Sequence, residues 1–191
     1  MSEADRVIII GAGQAGGQAS VSLRQMGYEG EIVLVGDEPA PPYQRPPLSK
    51  DYLKGKMERE RLFLKPEQFY ADQNITLKTS VTAEAIDTSA KTVRFSDGET
   101  LGYSRLIIAT GSRPRPLPIK GADLRNVMDL RTLQDIDELK PLVVEGKKAL
   151  IIGAGFIGLE AAAVMRGLGL DVTVIELSDR VLARVTFPVM S

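Results

Sequence analysis

Two stretches of this chain repeat one spacing of glycines: Gly11-Ala12-Gly13-Gln14-Ala15-Gly16 and Gly153-Ala154-Gly155-Phe156-Ile157-Gly158. Between a strand and a helix, each glycine in such a turn has its own duty. The first makes the tight turn out of the strand, the second lets backbone approach a pyrophosphate, and the third lets the helix pack closely on the strand. The diphosphate then rests on the free N–H groups and positive dipole end of the helix. A single motif of this kind is weak. Here each copy follows an apolar run, opens a helical stretch and precedes a second apolar run that ends near an acid. Asp37 follows Val35-Gly36, and Glu176 follows Ile175. A carboxylate there can accept hydrogen bonds from an adenosine ribose diol. Two dinucleotide sites imply two cofactors, and FAD with a nicotinamide is the commonest pairing. Glu176 would repel a 2′-phosphate and Leu177 follows it, so NADH is expected over NADPH. Arg180, close by in sequence, argues the other way.

Other residues offer little independent chemistry. The 191 residues contain no cysteine and no histidine. This excludes disulfide scaffolds, thiolate metal sites and thiol relays, and removes the commonest general base and metal ligand. Chemistry must come from a bound cofactor or from Lys, Asp, Glu and Tyr. With 24 basic and 25 acidic side chains the net charge is -1, which favours neither nucleic acid nor an anionic membrane as partner. No apolar run reaches membrane-spanning length, and the start Met1-Ser2-Glu3-Ala4-Asp5-Arg6 is unlike a signal peptide, so a cytoplasmic protein is expected.

The elements that must position these residues follow from pattern. Val7-Ile8-Ile9-Ile10 reads as a strand buried on both faces, followed by a helix from about Gln14 to Met26 with Gly27 as C-cap, and by the strand Ile32–Val35. Pro39 to Ser49 is a stiff proline loop. A short helix is expected around Pro66 to Gln73, and residues 81 to 108 read as β-meander with Asp97-Gly98 as a hairpin turn. Leu106-Ile107-Ile108 is expected to be a further buried strand. Pro114, Pro116 and Pro118 mark a domain crossing, dividing the chain at 1–115 and 116–191. Thr132 and Asp135 resemble a capping box. Ala149–Ile152, a helix from about Phe156 to Leu168, and Val172–Ile175 form the second βαβ unit. The fold class is α/β: a Rossmann-like, three-layer FAD/NAD(P)-binding fold with a β-meander and two βαβ dinucleotide-binding units.

The sequence resembles the FAD-dependent pyridine-nucleotide reductases that pass electrons to ferredoxins in cytochrome P450 and ring-hydroxylating dioxygenase systems. The resemblance spans essentially the whole chain. It rests on Tyr43-Gln44-Arg45-Pro46-Pro47-Leu48-Ser49-Lys50, Leu106-Ile107-Ile108-Ala109-Thr110-Gly111, the second glycine motif through Leu159-Glu160, and Arg180-Val181-Leu182-Ala183-Arg184-Val185. It implies FAD contacts at Gly11, Gly13, Ala15, Gly16, Asp37, Ala83, Ala109, Thr110, Gly111 and Arg131. It implies that Lys50 lies beside the reactive face of the flavin and that Glu160, near the nicotinamide, pairs with it. Gly153, Gly155, Gly158 and Glu176 would hold NADH.

Hydride transfer to flavin N5 needs stacking rather than a general base, and positive charge nearby favours the reduced anion. Lys50 could supply that charge; a solvated lysine at a helix start is the alternative. Glu160 lies in the first turns of a helix, where the dipole favours a carboxylate in any case. Arg45 is a candidate to neutralise the FAD diphosphate, with a surface arginine as the alternative. Without cysteine, electrons should leave one at a time to an external iron–sulfur carrier. Arg59, Arg61, Lys65, Arg113 and Arg115 offer a basic surface for it, although an ordinary solvated face is the better reading.

Members of the family are about twice this length, and this chain is expected to be an N-terminal fragment, inactive alone, with both domains incomplete. The second functional reading is a non-catalytic nucleotide-binding fragment or an apoptosis-inducing-factor-like NADH-binding flavoprotein.

Overall fold

The computed structural model describes residues 5–190. Met1 to Ala4, part of the start read above as unlike a signal peptide, and Ser191 lie outside the described residues. The chain forms two compact units. The first comprises Met1–Gln44 and Arg59–Arg113, and the second Arg45–Glu58 and Pro114–Ser191.

In the first unit, β1 (Arg6–Ile10) pairs in parallel with β2 (Glu31–Val35) and β7 (Arg105–Ile108), and β2 pairs with β3 (Ile75–Lys78). The sheet order is β3-β2-β1-β7. Alternation along β1 and β2 sends side chains to two faces. Val7, Ile9, Ile32 and Leu34 pack with Tyr70 of α2 (Glu67–Asp72) and with Ala19 and Leu23 of α1 (Gln14–Gln25). Ile8, Ile10, Val33 and Val35 pack with Val93 and Phe95, which lie on an antiparallel meander of β4 (Ala83–Asp87), β5 (Thr92–Phe95) and β6 (Thr100–Gly102). Helices, parallel sheet and meander make the three layers. Each fully buried aliphatic side chain stabilises them by about 1.5–3 kcal/mol. Gly98, at a φ of 86°, closes the expected hairpin.

Two expectations are corrected. The meander ends at Gly102, and the run to residue 108 belongs to the parallel sheet instead. Nor is β7 buried: it is an edge strand, Leu106 and Ile107 are half-buried, and Ile108 is 64% exposed. An edge strand has a neighbour on one side only, so less of its surface is covered. The strand β3 has no counterpart in the pattern reading; it follows a left-handed turn at Asn74 (φ 51°) directly after α2.

The second unit departs from a contiguous division at 115/116. The chain separates at Arg113/Pro114, and Arg45–Glu58 joins the later residues. Its anchor is Tyr52, which is buried, donates its hydroxyl to Asp137 and lies 3.7 Å beneath the Lys140 ammonium. The proline loop is also shorter than expected, because a helical turn already begins at Leu48. It runs Leu48–Tyr52 and breaks its helical geometry at Lys50 (φ −121°, ψ −111°). Pro46 and Pro47 stand just before it, where a missing N–H costs nothing.

α3 (Leu133–Leu139) opens with a reciprocal capping box. The Asp135 N–H donates to Thr132 Oγ1 at 3.1 Å, and the Thr132 N–H donates to Asp135 Oδ2 at 2.7 Å. A shorter aspartate therefore serves where glutamate or glutamine is usual. β8 (Lys148–Ile152), α4 (Phe156–Gly167) and β9 (Asp171–Ile175) complete the unit, with β8 and β9 paired in parallel.

Candidate functional site

The two glycine turns are built alike. Gly11 and Gly153 have φ of 109° and 105°, values that L side chains rarely adopt. Their N–H groups donate to the last carbonyls of the neighbouring strands, Gly11 to Val35 and Gly153 to Ile175, both at 2.8 Å. The third glycines are pressed against the first: a Cβ on Gly16 would fall 1.9 Å from the Gly11 carbonyl oxygen, and one on Gly158 would fall 2.0 Å from that of Gly153. The second glycines, Gly13 and Gly155, face open space with nothing within 4 Å of a built Cβ. They are also the helix N-caps, and neither helix has a side-chain cap. First-turn N–H groups without such partners beside an open approach fit a dinucleotide diphosphate.

The acids beside these turns behave differently. Glu176 folds back onto its own turn, accepting from the Ser178 N–H at 2.9 Å and from the Ala154 N–H at 2.7 Å. The Ser178 bond first, then the Ala154 bond, holds its carboxyl down to about 2. Asp37 accepts from Arg113 Nη2 at 2.8 Å, so this arginine, counted above in a basic surface, serves the carboxylate of the first turn. Gly36 is the other residue that pattern reading missed here. A side chain on it would strike the Ala12 Cβ at 2.5 Å. Arg180 donates to the Ala183 and Thr186 carbonyls at 3.0 and 2.9 Å, which commits its Nη2 to its own loop.

Lys50 and Glu160, 110 positions apart, meet as an ion pair in the second unit, with Nζ 2.6 Å from Oε2. Nζ also donates to the Pro46 carbonyl at 3.2 Å. The same Glu160 oxygen accepts from Ser49 Oγ at 3.0 Å. The Lys50 hydrogen bond foremost holds the Glu160 carboxyl below its usual range; burial opposes it as the next largest effect, and the Ser49 hydrogen bond adds a smaller lowering. Lys50 thus lies in a helical turn as an ion-paired residue. Ser49 carries no sequence signal beyond its place beside that lysine.

Of the remaining expected residues, Ala109 lies against Gly11, where a Cβ would meet its carbonyl oxygen at 2.2 Å. Thr110 and Gly111 continue from it, exposed, with Gly111 at a φ of 67°. Ala15 is exposed in the first turn of α1. Ala83 is half-buried on β4, paired with Phe95 and packed against the meander core. Arg45 Nη1 donates to the Arg131 carbonyl at 2.8 Å, which brings those two residues together in the second unit. Among the described residues no group of three or more His, Cys, Asp or Glu is placed to hold a metal, and no helix is long and apolar enough to cross a membrane.

A layered α/β fold with two such turns defines a dinucleotide-binding protein. The pyridine nucleotide-disulphide oxidoreductase family model matches residues 5–190. Rhodocoxin reductase of Rhodococcus erythropolis is 49% identical over 185 residues, 97% of this chain and 43% of that protein. The solved covalent putidaredoxin reductase–putidaredoxin complex superposes with a TM-score of 0.93 at 42% identity, covering 96% of this chain and 45% of the other. The ferredoxin reductase for the CYP199A2 system of Rhodopseudomonas palustris gives 0.93 at 45%, covering 98% and 46%. The chain belongs to the pyridine nucleotide-disulphide oxidoreductase family. It spans less than half the length of these relatives.

Proposed function

We propose that this chain is the N-terminal part of a cytoplasmic FAD-dependent reductase that takes electrons from NADH and delivers them to a ferredoxin-type iron–sulfur protein serving a P450 or ring-hydroxylating dioxygenase. The observation that carries this reading is the pair of open glycine turns, one on each unit, combined with a lysine–glutamate pair and no cysteine. The first unit would hold FAD through Gly11, Gly13, Ala15, Gly16, Asp37, Ala83 and Ala109–Gly111. The second would hold NADH through Gly153, Gly155, Gly158 and Glu176. When bound, FAD supplies two-electron acceptance from NADH and one-electron release.

The protein's own contribution is electrostatic and positional. Gly13 and Gly155 leave room for a diphosphate against the N–H groups of α1 and α4. Lys50 would supply positive charge to favour the reduced flavin, and Glu160 holds its ammonium. With no cysteine among the 191 residues, an internal thiol relay is absent from this part. Glu176, ionised throughout the physiological range, would reject a 2′-phosphate, and Arg180 is engaged elsewhere.

The full-length gene product should show an oxidised flavin band that bleaches when NADH is added without oxygen. A colourless protein, or a flavin that NADH leaves oxidised, would defeat the reading. NADH should be turned over at least about tenfold more efficiently than NADPH, given the cost of a close like-charge pair, and equal efficiencies would refute the role of Glu176.

A further inference from the structure

Among the described residues two serines are buried, Ser20 and Ser49. A buried hydroxyl must find an acceptor or it costs stability. Ser20 solves this locally, donating to the Gly17 carbonyl at 2.8 Å one helical turn away. Ser49, 4% exposed, reaches across 111 positions to the Glu160 carboxylate. That oxygen already accepts from Lys50, the next residue along. Consecutive side chains on a regular helix point about 100° apart; the break in helical geometry at Lys50 accompanies the convergence of this pair on one atom. Among the described residues, Glu160 Oε1 accepts no hydrogen bond.

We propose that Ser49 is a positioning residue for hydride transfer: its hydroxyl anchors Glu160 Oε2, and the anchored carboxylate fixes the direction of the Lys50 ammonium. The inference rests on the reductase reading above. A neutral donor suits this task, because it orients a carboxylate without cancelling the charge that Lys50 needs. It also keeps Glu160 in place during any excursion of Lys50, whose side chain is 46% exposed. The elements packed against α4 carry Lys50 and Asp51 on the kinked turn, Lys148 on β8 and Asp171 on β9. Of these, Lys50 is the charged group that acts on Glu160.

The test uses the full-length flavoprotein and the variants Ser49→Ala, Ser49→Cys and Ser49→Thr. Flavin content and melting temperature monitor the fold, rapid mixing with NADH separates the reduction rate constant from the NADH dissociation constant, and carbon-13 NMR follows the Glu160 carboxyl, assigned with Glu160→Gln. Ser49→Ala should keep its flavin and its NADH affinity while reduction slows about tenfold, the effect of losing one hydrogen bond to a charged group. The Glu160 titration should move upward. Ser49→Cys, similar in volume but a weak donor, should follow Ser49→Ala, and Ser49→Thr should restore both readings. An unchanged reduction rate and carboxyl titration in Ser49→Ala and Ser49→Cys would overturn the proposal, as would failure of the threonine to rescue. Should NADH leave the wild-type flavin oxidised, the reductase reading fails, while the carboxyl titration still decides whether Ser49 anchors Glu160.

Discussion

The two strand–turn–helix–strand regions of this protein share a backbone and differ in everything packed around it. Their turns agree within a few degrees in φ and match in hydrogen-bond length at the first glycines, and agree within a tenth of an ångström in closeness at the third. Even the helix ends correspond, with Gly27 at φ 83° after α1 and Gly169 at 85° after α4. Yet Ile8 is fully buried, while Leu150, three residues before its own turn as Ile8 is before Gly11, is 62% exposed. In the first unit the meander covers that face and β7 flanks β1; in the second, among the described residues, β8 pairs with β9 alone. The turn is thus a local device written by glycines, whereas strand burial depends on what other segments supply.

The acids teach the same lesson at smaller scale. Glu176 comes directly after its strand and reaches back to the loop N–H groups. Asp37 comes one residue later, after Gly36, and is held by a side chain instead. One inserted glycine changes which donors a carboxylate can find.

Substitutions at paired positions sharpen the contrast. The largest effect is expected at Ile8→Ala, which should lower the unfolding free energy of the 191-residue chain by about 2–5 kcal/mol, while Leu150→Ala should change it by less than about 0.5 kcal/mol. Equal losses in urea unfolding would mean that the second face is covered after all. Gly16→Ala and Gly158→Ala should each cost about 1–3 kcal/mol, since the new methyl meets backbone that cannot step aside. Gly13→Ala and Gly155→Ala, opening onto empty space, should cost no more than the roughly 0.5–1 kcal/mol of a poorer N-cap and chiefly weaken flavin retention and NADH affinity respectively in the full-length protein. A stability loss at Gly13→Ala as large as that at Gly16→Ala would contradict the open cradle.

The smallest effect concerns pH. The Glu176 carboxyl is depressed in the folded state, so its stabilising bonds are complete above the ordinary value of 4.5 and are lost as pH falls through about 2. The Ala154 amide resonance should therefore titrate with a midpoint near 2, and Glu176→Gln should abolish that step. A midpoint near 4.5 would show that the carboxylate points to solvent.

Much of this was legible in the chain because it is local. Glycine spacing, apolar β-branched runs, the Thr132–Asp135 cap and the Asp97-Gly98 hairpin each act over a few residues, and each stands where the pattern places it. The edge position of β7, the grouping of Arg45–Glu58 with the second unit and the bonds of Ser49 were not legible. They join residues scores of positions apart, and no local propensity records which distant segment will cover a strand or accept a hydroxyl.

The sequence by itself determined two dinucleotide turns, an acid beside each and the absence of thiol and imidazole chemistry, since these follow from residue type and short spacing alone. Tertiary structure decided that Lys50 meets Glu160 with Ser49 as a third member, that Arg113 serves Asp37, and that the meander covers one face of the first sheet. Those outcomes depend on packing between distant segments, which pattern constrains only after the chain has closed on itself.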